Sequence, residues 1–353
     1  MNSWGVRGGT AAKGWERMQS KARPTSTLLL DRADIKSLLD LSDCITAVEE
    51  AFKAHALGQT LTPGLLHVDA ADGEFHIKSG GFTSPKAYFG LKANAGFFGN
   101  AERFGLPNIQ GLILLYDAEN GYPLAVMDSG YITIQRTGAA TAVAAKYLAR
   151  PDSTVATICG AGTQGHVQLR ALTHVLPLEK AYTWDTDSAR AEQFATEMSN
   201  ELEISVEHAP DLAAAVAESD VCVTCTPSRC QFLDRGFVRP GTFIAAVGAD
   251  SPGKQELDPH LLGDNIVVVD LLEQCVSVGA LQHAIRHGLM TPESVRGELG
   301  DIVAGRVVGR ATDEEIIVFD STGTALQDTA AAMLVYQRAV SAGIGQGLDF
   351  TAT

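Results

Sequence analysis

The chain has 353 residues, of which 45% are apolar and 20% charged, with mean hydropathy near zero. That length is too great for one ordinary core and suits two, and the low charged fraction excludes wholesale disorder. A formal net charge of −15 and a pI near 5 argue against nucleic acid or an anionic membrane as a partner, because an acidic surface repels both.

No apolar run approaches the roughly 18 residues that span a bilayer, and the basic N-terminus has no apolar h-region. A soluble, cytoplasmic protein is expected. Residues 1–24 are Gly-rich and aperiodic and read as a flexible extension, with Met18 a candidate natural start. Residues 27–30 form a short strand. Ser42 is expected to cap a helix that carries Ile45, Val48 and Phe52 on one face. From Pro63 to about Val126 the pattern shifts to short strands, at 73–78, 88–94, 111–117 and 123–128, separated by Gly, Asn and Pro turns. The Ala-rich stretch 133–148 reads as a helix ended by Arg150-Pro151.

From Thr154 onward strands and helices alternate. Helices are expected at 189–200 and 211–218, and strands near 204 and at 221–226, 242–247 and 265–269. This βαβ series predicts a parallel sheet. A last strand and an amphipathic helix are expected to return to the first domain. The fold class is therefore α/β. A doubly wound Rossmann sheet over 149–317 adjoins a separate α+β domain built from 25–148 plus 318–353, with no internal repeat.

The six cysteines, Cys44, Cys159, Cys222, Cys225, Cys230 and Cys275, are expected to stay reduced in a cytosolic chain. Cys222, Cys225 and Cys230 have a metal-like spacing, but the segment VCVTC is a β-branched strand in which residues three apart face opposite sides. His283 and His287 lie one helical turn apart without the glutamate of a HExxH site and read as surface residues. No metal site is expected.

Gly160-Ala161-Gly162-Thr163-Gln164-Gly165 fits G-x-G-x-x-G. It follows a strand carrying Val155, Thr157 and Ile158, it opens a helix, and Asp185 ends the next strand. That context completes the dinucleotide fingerprint. The glycines let the backbone approach a pyrophosphate seated on the helix N-terminus, and the Asp185 carboxylate accepts from ribose hydroxyls. A 2′-phosphate would meet like charge from Asp185 and Asp187 with no arginine directly beside them, so NAD is favoured over NADP.

Five further segments, with this fingerprint, resemble the ornithine cyclodeaminase/mu-crystallin family. They are GLKANAGFFGN (90–100), GLPNIQG (105–111), TIQRTGAA (133–140), AVGADSPGKQEL (246–257) and DSTGTALQD (320–328). The likeness implies a homodimer whose subunits pair a substrate-binding and dimerisation domain with a Rossmann domain, and which interconverts a small amino acid and its imino acid. It implies that Lys92 and Arg136 clamp the substrate carboxylate and that Asp250 handles the proton on the substrate nitrogen. Thr137, Thr226, Lys254 and Ser321 would contact the cofactor, and Thr322 and Gly323 would line the substrate pocket.

The chemistry agrees with these roles. An α-carboxylate needs a fixed cation, and arginine offers a planar two-point match. A carboxylate at the C-terminal edge of a parallel sheet sits where such sheets place ligands.

Two positions depart from the ornithine-type pattern. No arginine follows Pro63, where the chain reads Gly64-Leu65-Leu66-His67, and Asn108 replaces the usual threonine of the GLP segment. Both positions contact substrate in the family. Lys78, on one strand face with His76, is the visible replacement cation. Three functions follow: an imine reductase or amino-acid dehydrogenase, a cyclodeaminase that recycles NAD, and a non-catalytic small-ligand binder. Having Lys92, Arg136 and Asp250 together favours an enzyme, and the lost arginine favours imine reduction over ornithine cyclisation.

Overall fold

The computed structural model describes residues 26–350; the extension expected at 1–24 lies outside them. The first unit contains β1 (Thr27–Leu30), α1 (Arg32–Leu38), α2 (Leu41–Ala56), β2 (Thr60–Ala70), β3 (Gly73–Phe82), β4 (Tyr88–Gly96), α3 (Asn100–Phe104), β5 (Ile109–Asp117), β6 (Pro123–Asp128) and α4 (Ser129–Leu148). Its sheet runs β15-β1-β6-β5-β4-β3-β2, where β15 is Gln346–Leu348, and is mixed because β1 lies parallel to β6. Asp40, not Ser42, caps α2: its carboxylate accepts from Asp43 N at 2.8 Å. The expected apolar face of α2 holds, with Ile45, Val48 and Phe52 buried.

β2 escaped the sequence reading because Pro63 and the adjacent Leu65-Leu66 break alternation. It is an edge strand with a register shift between Leu61 and Gly64, and an edge is where a sheet tolerates proline.

The second sheet is all parallel. It is formed by β7 (Val155–Cys159), β8 (Lys180–Trp184), β9 (Ser205–His208), β10 (Val221–Thr224), β11 (Phe243–Ala246), β12 (Ile266–Val269), β13 (Gly297–Glu298) and β14 (Ile317–Asp320). The order is β13-β12-β14-β11-β10-β7-β8-β9. The chain winds outward from β7 to β9, then resumes on the other side of β7 with β10. The sheet therefore has its switch point between β7 and β10, where open α/β sheets hold ligands. The connecting helices include α5 (Thr163–Thr173), α6 (Ser188–Leu202), α7 (Leu212–Glu218), α8 (Pro259–Gly263), α9 (Leu272–Val278), α10 (Leu281–Arg286) and α11 (Leu299–Val303). The boundary expected at 317/318 is corrected: it falls inside β14, which pairs with β11 and β12.

Two helices join the sheets. α4 packs on α2 and on α5, which its sequence permits because residues 138–145 are all small or β-branched and buried. A Cβ at Gly138 would lie 2.8 Å from a Val167 methyl, so only glycine lets the two helices approach this closely. α12 (Ala325–Ala342) packs against β3, β4, α2 and α4, as expected of the terminal helix.

Candidate active site

The dinucleotide loop is built as its sequence requires. Gly160 has φ +114°, a conformation that L side chains rarely adopt, and Gly162 has no atom within 4 Å of where a Cβ would stand. A Cβ at Gly165 would fall 2.1 Å from the Gly160 carbonyl oxygen, so that glycine permits the close helix–strand packing. No side chain caps α5, which leaves its first N–H groups and positive dipole end to an anion. The Asp185 carboxylate abuts this loop, accepting from Ala161 N at 2.9 Å and Asp187 N at 3.0 Å. Arg190 lies in the first turn of α6, 3.9 Å from Asp187 and exposed. An arginine thus does stand beside Asp187, against the expectation from sequence, and the Asp185 carboxylate held against the glycine loop is what favours an unphosphorylated ribose. Replacing Asp185 with serine is expected to narrow the preference for NADH over NADPH in fluorescence titrations; a wild type that binds NADPH more tightly would remove Asp185 from this role.

A cavity of about 260 Å³ lies between the sheets. Lys78, Lys92, Arg136, Thr137, Gln164, Thr226, Asp250, Lys254, Ser321, Thr322 and Gly323 all line it, so eleven of the expected site residues converge there. Asn108 does not: its side chain accepts from Ala101 N at 3.1 Å and its carbonyl from Phe97 N at 2.8 Å, so it ties the turn around α3.

The cations are the site's dominant feature. Lys78, Lys92 and Arg136 are all buried. Lys78 is not a solvated strand lysine: its Nζ donates to the carbonyls of Thr322 and Gly323 at 2.8 and 2.7 Å. It lies directly across the ladder from Leu65, in the segment where the ornithine-type arginine is missing, and across from Lys92 on its other side. Asp328 is the counter-ion that the sequence reading missed. Its carboxylate lies 2.6 Å from Lys92 Nζ and accepts from Arg136 Nε at 2.9 Å, while Arg136 Nη1 donates to Gln327 at 3.0 Å. Gly323, at φ +73°, lets the guanidinium lie against the backbone, since a Cβ there would stand 2.2 Å from Nη1.

Asp250 and Asp270 offset Lys78 together with Asp328, whereas Lys92 and Arg136 share the single carboxylate of Asp328, and that pair is where an anionic ligand is suited. Burial pushes the Lys92 ammonium down, Arg136 and Lys78 push the same way, and Asp328 resists, leaving a pKa of about 7. The same cations outweigh burial at Asp328 and hold its carboxyl below the usual range.

Asp250 follows β11 and faces the cavity with its side chain 42% exposed, 2.6 Å from Lys254 Nζ. Burial raises its pKa, but Lys254, Lys78 and His76 together win and lower it, so the group is a carboxylate at neutral pH. His283 corrects another expectation: it is buried, and its Nε2 lies 2.8 Å from the Lys254 carbonyl, so it braces the turn that carries Asp250 and Lys254. Two more buried carboxylates went unread. Glu256 accepts from Thr224, from Thr226 N and Oγ1 and from Gly248 N. Asp270 accepts from Ser321, Thr322 and Gly323 N. Each holds a cavity loop in place. Their signal was an acid at the end of an apolar strand (Val267-Val268-Val269-Asp270) or inside a site motif (246–257).

A profile of the ornithine cyclodeaminase/mu-crystallin family matches residues 25–343. The chain belongs to this family. It is 39% identical to the alanine dehydrogenase of Archaeoglobus fulgidus over 325 residues, 92% of this chain and 98% of the relative. An archaeal alanine dehydrogenase dimer with bound NAD superposes with a TM-score of 0.88 at 39% identity, covering 92% of this chain and 99% of the other. A second family member, the Thermococcus litoralis Δ1-pyrroline-2-carboxylate reductase in complex with NADH and L-proline, gives 0.86 at 33% identity, covering 91% and 100%. A lysine cyclodeaminase structure gives 0.82 at 31% identity, covering 92% and 96%.

Proposed function

We propose that this protein is an NAD(H)-dependent oxidoreductase that interconverts a small L-amino acid and its imino acid, with imine reduction as the reading the site favours. The observation that carries it is the placement of three buried cations and one ionised aspartate in a single cavity at the mouth of a dinucleotide loop. The named activities of its relatives lie in the same class.

The division of labour follows from the groups. Arg136 uses Nε and Nη1 on Asp328 and Gln327, which leaves Nη2 and the Lys92 ammonium to hold the substrate carboxylate. Lys78, bound to the Thr322 and Gly323 carbonyls, adds charge and fixes the loop beneath. With carboxylate and nitrogen both anchored, Cα has one orientation toward the dinucleotide. The nicotinamide of NAD(H), when bound, gives or accepts the hydride at Cα. Asp250 takes a proton from the substrate ammonium in one direction, and in the other its negative charge favours the protonated iminium over the neutral imine. Thr137, Thr226 and Ser321 complete the cofactor side of the cavity.

A second copy of the chain is the partner in this reading. Leu66, Val68, Phe75 and Leu112 stand 41–55% exposed, and the ladder pairings put all four on the sheet face opposite Lys78 and Lys92. An archaeal relative is a dimer, and an exposed apolar face of this kind marks an interface. The acidic balance and the six free cysteines support a cytoplasmic enzyme without nucleic-acid or membrane partners. Among the described residues no helix is long and apolar enough to cross a membrane.

The assignment is tested by NADH oxidation with cyclic 2-carboxy imines, and with 2-oxo acids plus ammonia. L-ornithine with catalytic NAD is run beside them. Imine-dependent NADH loss is expected. Proline and ammonia forming from ornithine without net NADH, faster than any imine is reduced, would make the enzyme a cyclodeaminase.

The clamp also predicts a pH effect. Lys92 is charged below about pH 7 and neutral above it, with Arg136 and Lys78 opposing its charge and Asp328 supporting it. In the reductive direction kcat/KM should therefore fall as pH rises through this range, and Lys92→Met should abolish that limb while lowering the plateau. A limb that persists unchanged in the variant belongs to another group.

A further inference from the structure

The ladder between β2 and β3 brings together three potential metal ligands that no single strand shows. His67 pairs directly with His76, and Asp69 with Glu74. Side chains that face each other across a ladder, or lie two apart along a strand, share a sheet face, so all four are neighbours. His76 Nε2 lies 3.2 Å from one Glu74 oxygen, and His67 Nε2 lies 3.8 Å from the other. The two imidazoles meet edge to face with centroids 4.7 Å apart. One ligand atom from each of His67, Glu74 and His76 falls within 4.8 Å of the others.

We propose that His67, Glu74 and His76 bind a divalent first-row metal ion, each imidazole through one ring nitrogen and Glu74 through its carboxylate. A tetrahedral ion about 2.0–2.1 Å from nitrogen and oxygen ligands separates them by about 3.3 Å, close to the two carboxylate–imidazole distances already present. Two imidazoles and a carboxylate are a borderline-soft donor set that suits zinc and its first-row neighbours rather than calcium or magnesium. Asp69 stands 3.0 Å from the same His67 Nε2, a bond its exposed carboxylate gives up when the metal takes that nitrogen. Three protein ligands leave a coordination position open, as in sites where a metal meets water or substrate. Glu74 and His76 also line the cavity beside Asn94, which would place the ion in the cavity wall as an additional positive charge.

Zinc is the probe. Full-length enzyme is stripped with chelator, incubated with zinc, passed through gel filtration and assayed for zinc per chain by mass spectrometry. Cobalt loading is followed by its visible d–d absorption. One zinc per chain is expected, with cobalt bands of a four-coordinate site. His67→Gln and Glu74→Gln should each weaken zinc binding at least about tenfold. NADH affinity and circular dichroism of His67→Gln should match wild type, which separates ligand loss from misfolding. Less than half an equivalent of zinc in the wild type would overturn the site. Equal zinc retention by both variants would do so too, by assigning the metal to exposed groups such as Cys230. Neither readout needs turnover, so failure here leaves the proposed oxidoreductase activity standing.

Discussion

Asp250→Asn should lower kcat by about 100-fold or more, the usual contribution of a positioned acid/base, while leaving NADH affinity unchanged. Asparagine keeps the shape and a carbonyl oxygen for Lys254 but can neither take a proton nor carry charge. The carboxylate lies 2.6 Å from Lys254 and is held below its usual pKa by Lys254, Lys78 and His76 against the opposing effect of burial. It is therefore ionised at neutral pH, the state needed to deprotonate a substrate ammonium or to favour an iminium. Steady-state kinetics with a parallel NADH fluorescence titration checks this. Near-normal turnover in the variant would take Asp250 out of the mechanism.

Asp328→Asn carries the largest expected cost in stability, about 3–5 kcal/mol, because removing one partner of a buried ion pair leaves the other uncompensated. Here two partners are left, Lys92 and Arg136, both buried. Lys92 can escape by losing its proton, having a pKa of about 7 already, but Arg136 has no such route. The loss should therefore be greater at pH 6 than at pH 8.5. Adding Lys92→Met should recover part of it, since the two residues are in contact and their effects do not add. Urea unfolding of the single and double variants measures both terms. A loss under 1 kcal/mol at pH 6 would mean that Asp328 is not the charge that holds the clamp together.

The nucleotide-binding half was legible because its signals are local. A β-branched strand, a glycine turn, a helix and an aspartate follow one another within 31 residues, from Val155 to Asp185, and each has a backbone reason to be there. The substrate half was legible only by resemblance. Its key bonds join residues far apart: Lys78 to Thr322 across 244 positions, and Arg136 to Asp328 across 192. No periodicity encodes such pairings, so Lys78 was singled out only by the missing arginine and its face shared with His76, and Asp328 was given no role although it lies in the segment 320–328. β2 was hidden by Pro63, and with it the pairing of His67 with His76. Asn108 went astray for a different reason: it stands where the family's substrate-contacting threonine would, but its side chain is spent locally on the α3 turn.

The most direct test of the account compares one imine with and without its carboxylate, for example 1-pyrroline-2-carboxylate against 1-pyrroline, by NADH oxidation under matched conditions. A cavity in which Lys92 and Arg136 share one carboxylate should reject the analogue that leaves them short of an anion. The carboxylated imine is predicted to have a kcat/KM at least about 100-fold higher, with most of that preference lost in Arg136→Met. Equal values for the two imines in the wild type would contradict the claim that Lys92 and Arg136 form a carboxylate clamp.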